Sequence, residues 1–277
     1  MTVDMEIICV GNELLIGKTL NTNAFWMGKQ ATTAGVNVKR IVVVQDIVEE
    51  IAQVIREALA RKPRFIVISG GLGPTFDDKT LQGVAKALNR KLEVNPQALE
   101  AVKARYVEYA KKRNQLIGEM TPARIKMATF PEATDPIHNP VGTAPAMRAE
   151  INGTIVFALP GVPAEMEAIF TQTIEPALKE AVGDRVFAEE SLFLQNIMES
   201  NLAPLIDRVM ANNMGVYIKS HPMGAESRPH IEIHLTATAA KQEKPMEKLQ
   251  RAKQQLAVLV EENGGKAWQK EAWEKGK

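Results

Sequence analysis

Two adjacent carboxylates, Asp77 and Asp78, end a run that reads Ser69-Gly70-Gly71-Leu72-Gly73-Pro74-Thr75-Phe76-Asp77-Asp78-Lys79-Thr80. Phe65 to Ile68, just before it, is an apolar run suited to a buried strand. The three glycines let the backbone turn where a Cβ would clash. Leu81, Val84, Ala85 and Leu88 recur at helical spacing, which predicts a helix starting near Asp77 or Asp78. A strand, a glycine turn and a helix N-terminus together bind anions, because free N–H groups and the positive end of the helix dipole face the turn. Two carboxylates there would repel a bare phosphate, so a bridging divalent cation, Mg²⁺ or similar, is the expected cofactor. Asp77 and Asp78 are its candidate ligands, and Thr75 and Thr80 can offer hydroxyls to phosphate or to a metal-bound water. The simpler alternative is that the two aspartates only cap the helix.

Other polar turns extend the pattern. Gly11 to Thr19 tempts a P-loop assignment, but five residues separate its glycines where that motif has four, and Leu14-Leu15-Ile16 would obstruct a phosphate cradle. Glu13, Asn21 and Asn23 nevertheless follow the first strand, at the sheet edge where open α/β folds bind ligands. Asn21 or Thr22 can equally cap the next helix. Asn139 to Pro145, with Gly142 and Thr143, is a second polar turn, and Leu159 to Met166, with Gly161 and Glu165, a third. If all three turns share one edge, they line a single pocket. Arg124 and Lys126 can neutralise phosphate or simply be solvated charge. His230 and His234 have no cysteine partner at metal-ligand spacing and are read as structural or surface residues.

The chain has 277 residues, a net charge of +1 and 45% hydrophobic residues, values of a globular protein large enough for two domains. A near-neutral charge gives no wholesale attraction to nucleic acid or membrane, so neither is an expected partner. The lone cysteine, Cys9, sits in the first apolar run and fits a core position in a reducing, cytoplasmic setting. Met1 to Glu6 has no basic stretch of a signal peptide. Strands at Met5 to Val10, Lys39 to Val44 and Phe65 to Ile68 alternate with helices at Thr22 to Thr33 and Glu49 to Lys62. That order implies a three-layer α/β domain with a mostly parallel sheet. A helix from Pro96 to about Arg113 follows, then a hairpin turned at Asn152-Gly153 and a helix from Ala164 to Ala181. Domain boundaries are expected at residues 1–182 and 183–263, the second a small α+β domain ordered β-α-β-β-α. Residues 264–277 are expected to be a charged, frayed tail.

Four blocks resemble one family: Gly11 to Asn23, Ser69 to Thr80, Asn139 to Ala146 and Leu159 to Met166 match the N-terminal domain of CinA, the competence/damage-inducible protein. That domain is similar to the molybdopterin-binding fold of molybdenum-cofactor biosynthesis proteins. Lys219-Ser220-His221-Pro222 looks like the family's small following domain. Asn12 stands where the family often has Asp or Thr. Full-length members carry a further C-terminal amidase domain, and amidase activity is not expected here. The resemblance implies a divalent-metal-dependent pyrophosphatase that cleaves ADP-ribose to AMP and ribose 5-phosphate. It also implies a homo-oligomer, with a dimer favoured. In that reading the partner is a small nucleotide diphosphate held by the turn at Gly70, Gly71, Gly73, Pro74 and Thr75. Asp77 and Asp78 bind the metal, and either Glu13 or Glu165 orients water. Asn21, Asn23 and Thr143 touch ribose or phosphate. The alternative is a molybdopterin-type ligand-binding or adenylyl-transfer protein without hydrolysis.

Overall fold

The computed structural model describes residues 2–114, 119–223 and 230–268. The chain divides into two units, Met1–Val182 and Gly183–Lys277. In the first, strands β1 (Asp4–Val10), β2 (Asn37–Val44) and β3 (Phe65–Ser69) alternate with helices. A turn of helix, α1 (Asn12–Leu15), precedes α2 (Thr22–Thr33), and α3 (Val48–Ala60) leads into β3. After β3 come α4 (Thr80–Leu88), β4 (Leu92–Val94), α5 (Pro96–Lys112), α6 (Pro122–Lys126), β5 (Thr129–Pro131) and β6 (Asp135–Ile137). The unit closes with the hairpin β7 (Ala146–Ile151) and β8 (Thr154–Leu159), then α7 (Pro163–Ile169) and α8 (Glu175–Val182).

The main sheet has the order β2-β1-β3-β8-β7-β6. β1 runs parallel to β2 and β3, and β3 parallel to β8, while β7 and β6 are antiparallel. Alternate strand residues feed two cores, as the two-residue period requires. Ile8, Val10, Ile66 and Ile68 pack with Ile51, Ile55 and Val84 on one face. Ile7, Cys9, Phe65 and Val67 pack with Met27, Ala31, Met166 and Phe170 on the other. The three-layer α/β architecture with a mostly parallel sheet is therefore as the alternation implied. Asn152 and Gly153 turn the hairpin with φ of 49° and 86°, the paired left-handed conformation that suits such a turn.

β1 leads to β2 on one side and the chain then returns to β3 on the other, so the strand order reverses between β1 and β3. A crevice opens at their carboxyl ends, the usual ligand position in such sheets. Because β7 is antiparallel to β8, the turn before β7 reaches this same edge.

The structure corrects three local expectations. α4 starts at Thr80, not at Asp77 or Asp78, because Thr75 takes up both aspartates in the turn. The helix expected over Ala164 to Ala181 is broken by a π-helical turn, Phe170–Ile174, whose ends Phe170 and Ile174 stay in the core. Three short strands, β4, β5 and β6, were invisible to periodicity because three residues carry no period.

The second unit has β9 (Arg185–Gln195), α9 (Glu199–Asn212), β10 (Val216–Met223), β11 (His230–Ala240), α10 (Pro245–Glu262) and β12 (Lys266–Trp268). Its antiparallel sheet, β10-β11-β9-β12, packs with Leu202, Ile206, Leu249 and Leu256 from the helices in a core of its own. The frayed tail expected from Gly264 is here a strand: Lys266 to Trp268 pair with Gln195 to Phe193. Ala267 packs inward, which supplies the apolar contact that the tail's charged composition hid. The rest of the tail, with Trp273, lies outside the described residues. His234 Nε2 stands 3.2 Å from Glu189 on the exposed side of this sheet. No helix among the described residues is long and apolar enough to cross a membrane.

Gly70 is the position where backbone geometry is most demanding. Its φ is +109°, and a Cβ there would lie 2.2 Å from the Val10 carbonyl oxygen of the neighbouring strand. Gly70→Ala is expected to lower unfolding free energy by at least about 2 kcal/mol, through strain plus a backbone clash. Urea unfolding of the full chain measures it, and a wild-type midpoint would contradict the geometry.

Candidate functional site

The three polar turns meet at the crevice. A cleft of about 470 Å³ is lined by Gly70, Gly71, Gly73, Pro74, Thr75, Asp77 and Asp78 from the turn after β3. Glu13 reaches it from the segment after β1, Asp46 from the segment after β2, and Gly161 and Glu165 from the segment after β8. Thr143 comes from the turn before β7, and Tyr106 of α5 closes one side. A glycine lining a cleft can present only its main chain, so at four positions, Gly70, Gly71, Gly73 and Gly161, the wall is bare peptide.

That peptide is anchored from behind. The Gly70 amide donates to the Leu159 carbonyl at 3.0 Å, and the Thr80 amide to the Gly71 carbonyl at 3.1 Å. Thr80 Oγ1 donates to the Gly70 carbonyl at 2.7 Å from a fully buried position. Thr80, expected to face phosphate, therefore braces the turn, since α4 begins at this residue and turns its side chain inward.

Asp77 and Asp78 fold back onto Thr75. Thr75 Oγ1 lies 2.5 Å from Asp77 Oδ1 and 2.5 Å from Asp78 Oδ2, and the Thr75 amide donates to Asp78 Oδ2 at 2.8 Å. One hydroxyl proton serves two carboxylates, so at any instant one of the two short contacts lacks it. The Thr75 hydroxyl is the main cause that lowers the Asp77 pKa, with Lys126 and Lys79 adding to it. Lys126 Nζ donates to the Thr75 carbonyl, which sets its ammonium beside both aspartates. Burial lowers the Lys126 pKa, and the charges of Asp78 and Asp77 oppose that shift.

Asp46 had no motif to announce it. It lies just beyond β2, accepts the Asn12 amide at 2.8 Å, and returns its own amide to Asn12 Oδ1 at 3.4 Å. Burial raises its pKa, opposed by the Asn12 amide and reinforced by the negative charges of Glu13, Asp77 and Asp78. The one signal available in sequence was its place two residues past a strand on the ligand-binding edge.

Glu165 is held by Asn139, whose Nδ2 donates to Glu165 Oε2 at 2.6 Å and to the Ala144 carbonyl at 2.9 Å. Asn139 Oδ1 accepts the Val141 and Gly142 amides at 3.0 and 2.7 Å. Asn139 is buried and all its polar atoms are used, so it shapes the turn rather than contacting a ligand. Gly142 packs against Glu165 so closely that a Cβ would stand 2.0 Å from the carboxylate. Arg105 clamps the same turn, donating to the Gly142 and Pro140 carbonyls at 2.8 and 2.7 Å.

Three more of the expected contact residues are engaged within the protein. Asn21 caps α2 by accepting the Ala24 amide at 3.1 Å, the alternative its position allowed. Asn23 ties β3 to the third turn, donating to Ser69 Oγ at 3.0 Å and to the Gly161 carbonyl at 2.8 Å. Both line a small side recess of about 110 Å³ with Cys9, whose thiol pKa is raised by burial. Arg124 stacks its guanidinium 3.8 Å from the centre of the Tyr106 ring and donates to the Glu119 carbonyl at 2.8 Å, so its charge is turned to protein groups.

The carboxylates Glu13, Asp46, Asp77, Asp78 and Glu165 are hard oxygen donors of the kind Mg²⁺ takes. Among the described residues, no three His, Cys, Asp or Glu side chains already stand close enough to share one ion. Thr75 engages Asp77 Oδ1 and Asp78 Oδ2, so each carboxylate keeps a second oxygen that a cation could take.

A family model described as a probable molybdopterin binding domain matches residues 6–180. A relative from Caldivirga maquilingensis is 45% identical over 252 residues, covering 90% of this chain and 94% of the relative. One from Aeropyrum pernix is 44% identical over 260 residues and covers 94% of each chain. A crystal structure of the protein CinA from Thermoplasma acidophilum, described as of unknown function, is 42% identical. It aligns with a TM-score of 0.57 over 64% of this chain and 98% of that one.

The charge on Asp46 makes a stability prediction. A carboxyl pKa above its ordinary 3.8 in the folded chain means that ionisation costs folding energy at neutral pH. The penalty is complete above the folded pKa and vanishes as pH falls below the unfolded one. Asp46→Asn keeps an acceptor for the Asn12 amide and is expected to stabilise the protein at pH 7 by a few tenths of a kcal/mol, screening by solvent included (about 0.3). The gain shrinks toward pH 4. Paired urea titrations at the two pH values check it, and a variant less stable than wild type at pH 7 would contradict the sign.

Proposed function

The chain belongs to the family of probable molybdopterin binding domains and is CinA-like in its first unit, and from that premise we propose that its cleft holds a phosphate-bearing pterin or nucleotide. The observation that carries this is the main chain of Gly71 and Gly73 just past the carboxyl end of β3, lining a cleft that also holds five carboxylates. Main-chain amides suit phosphate oxygens. The surrounding acids suit a divalent cation, which neutralises those oxygens when bound and can acidify a water beside them. In this reading the main chain from Gly71 to Gly73 grips the phosphates, and Asp77 and Asp78 hold the cation. Lys126 supplies nearby positive charge, and Thr143 offers a hydroxyl to the ligand. The first role is binding of a molybdopterin-type ligand, or of the nucleotide joined to it in adenylyl transfer.

Hydrolysis of ADP-ribose to AMP and ribose 5-phosphate is the second reading. It is favoured by Asp46, which lines the cleft beside the anion turn and whose carboxyl pKa is raised by burial and by the charges of Glu13, Asp77 and Asp78, a shift that makes its carboxylate a stronger proton acceptor. Glu13 and Glu165, which also line the cleft, are the other candidates to orient that water.

Titration calorimetry with ADP-ribose, with and without Mg²⁺, followed by chromatography of the products, separates the readings. Binding without turnover supports the ligand-binding role, and release of AMP supports hydrolysis. No binding of any phosphate ligand with the cation present defeats both. Asp77→Asn and Asp78→Asn are each expected to weaken Mg²⁺-supported binding by about tenfold, roughly 1.4 kcal/mol. If the wild type turns over, the same variants should lower kcat by at least about 100-fold.

A further inference from the structure

β2 ends the main sheet on one side. It pairs with β1 along one edge, and among the described residues no strand pairs with its other edge. Such an edge presents unpaired N–H and C=O groups, which soluble chains blunt with charges, prolines or bulges. β2 is blunted over its first half only. Lys39 and Arg40 are charged, and the register against β1 slips at Lys39. The second half, Ile41-Val42-Val43-Val44, is entirely β-branched and aliphatic, a composition that favours pairing.

Apolar surface flanks that half on both faces of the sheet. On the α2 face, Ile41 is 49% exposed and Phe25 is 76% exposed. Gly28, one helical turn after Phe25, leaves room beside Ile41, since a Cβ there would stand 3.9 Å from the Ile41 Cδ1. On the α3 face, Val42 and Val44 line a groove of about 270 Å³ with Leu15. Glu50, Gln53 and Glu57 of α3 give that groove its acidic side.

The edge complements itself in charge. Arg40 shares the α3 face with Val42 and Val44, by the two-residue period of a strand. Its guanidinium comes only within 4.0 Å of Glu6, and its side chain stays 58% exposed. Consider two copies of β2 paired antiparallel about a two-fold axis at Ile41. Arg40 of one copy then lies across from Val42 of the other, on the same face of the joined sheet. Each guanidinium reaches the other copy's groove, where Glu50 and Glu57 stand. Lys39 comes opposite Val43, so no like charges oppose one another. On the α2 face, Ile41 meets its own counterpart, with a Phe25 ring to either side. An unrelated extended peptide could use the same backbone edge, but this chain already carries the cation that the groove's acids match.

We propose that the outer edge of β2 docks a second copy of this chain, by antiparallel β2–β2 pairing that makes one sheet continuous across both. Beyond a bare oligomeric state, this names the edge, the register and the charges that join the copies. It holds whatever ligand the cleft takes.

Sedimentation equilibrium of the full chain over about 1 to 100 µM should show a reversible dimer. Ile41→Lys should raise the dimer dissociation constant at least about tenfold without changing the far-ultraviolet circular dichroism. Phe25→Glu makes the same test if the Ile41 variant misfolds. Ile41→Cys locates the contact. Facing residues of an antiparallel pair have Cα atoms about 4.5 to 5.5 Å apart, within the span of a disulfide. Diamide should therefore lock that variant as a covalent dimer, and leave wild type, whose one cysteine is the buried Cys9, unlinked. A chain that stays monomeric throughout overturns the proposal, even if it captures an unrelated peptide. So does a trimer, because a two-fold strand pairing closes at two copies. A dimer that Ile41→Lys leaves intact, or that Ile41→Cys fails to lock, uses another face and overturns it as well.

Discussion

Five carboxylates facing one cleft repel one another, and the architecture of the site follows from how that repulsion is managed. The charges of Glu13, Asp77 and Asp78 add to burial in raising the Asp46 pKa, which registers that repulsion. Here four of the five are given local donors. Asp46 takes the Asn12 amide, Asp77 and Asp78 share Thr75, and Glu165 takes Asn139. Each donor belongs to a turn, so balancing the charge also sets the turn's shape. Asn139 illustrates this, because the side chain that holds Glu165 also accepts two amides of its own loop. A cation entering the cleft would compete with contacts that already organise it.

The second constraint is distance between main chains. A Cβ on Gly161 would lie 3.3 Å from the Gly70 Cα, and one on Gly70 would strike the Val10 carbonyl. The turns after β1, β3 and β8 are thus stacked almost peptide on peptide. Asn23 crosses this stack and ties Ser69 to Gly161. Side chains are kept out of the middle, which leaves backbone lining the cleft. The second unit shares none of this chemistry. Its core is closed by α9 and α10 on a four-stranded sheet, with Lys253 donating to Glu190 at 2.7 Å as a partly buried charge pair.

Legibility along the chain tracked how local each feature was. β3 was readable because four of its five consecutive buried residues, Phe65 to Ile68, are apolar, and the hairpin because Asn152-Gly153 accepts left-handed backbone. β4 and β12 were not, since three-residue strands are set by their pairing partners rather than by their own pattern. In the site, the glycine turn stood out by composition, while Asp46 is a single acid among ordinary polar residues. Thr80 and Asn139 looked like ligand contacts because a hydroxyl or an amide has the same chemistry whether it faces a cleft or its own backbone. Only burial tells the two apart.

From residue order alone came the alternation that builds a doubly wound sheet, the glycines that expose main chain, and the acids that call for a counter-charge. All of these are short-range demands, met within a few neighbouring residues. The tertiary structure decided which groups own the cleft. Glu13, Asp46, Asp78 and Glu165 are far apart in sequence and meet because parallel strands deliver their carboxyl ends to one edge, where antiparallel β7 also begins. It likewise decided that Thr80 and Asn139 brace the walls, because a side chain's direction depends on where its helix or turn starts, and packing sets that point.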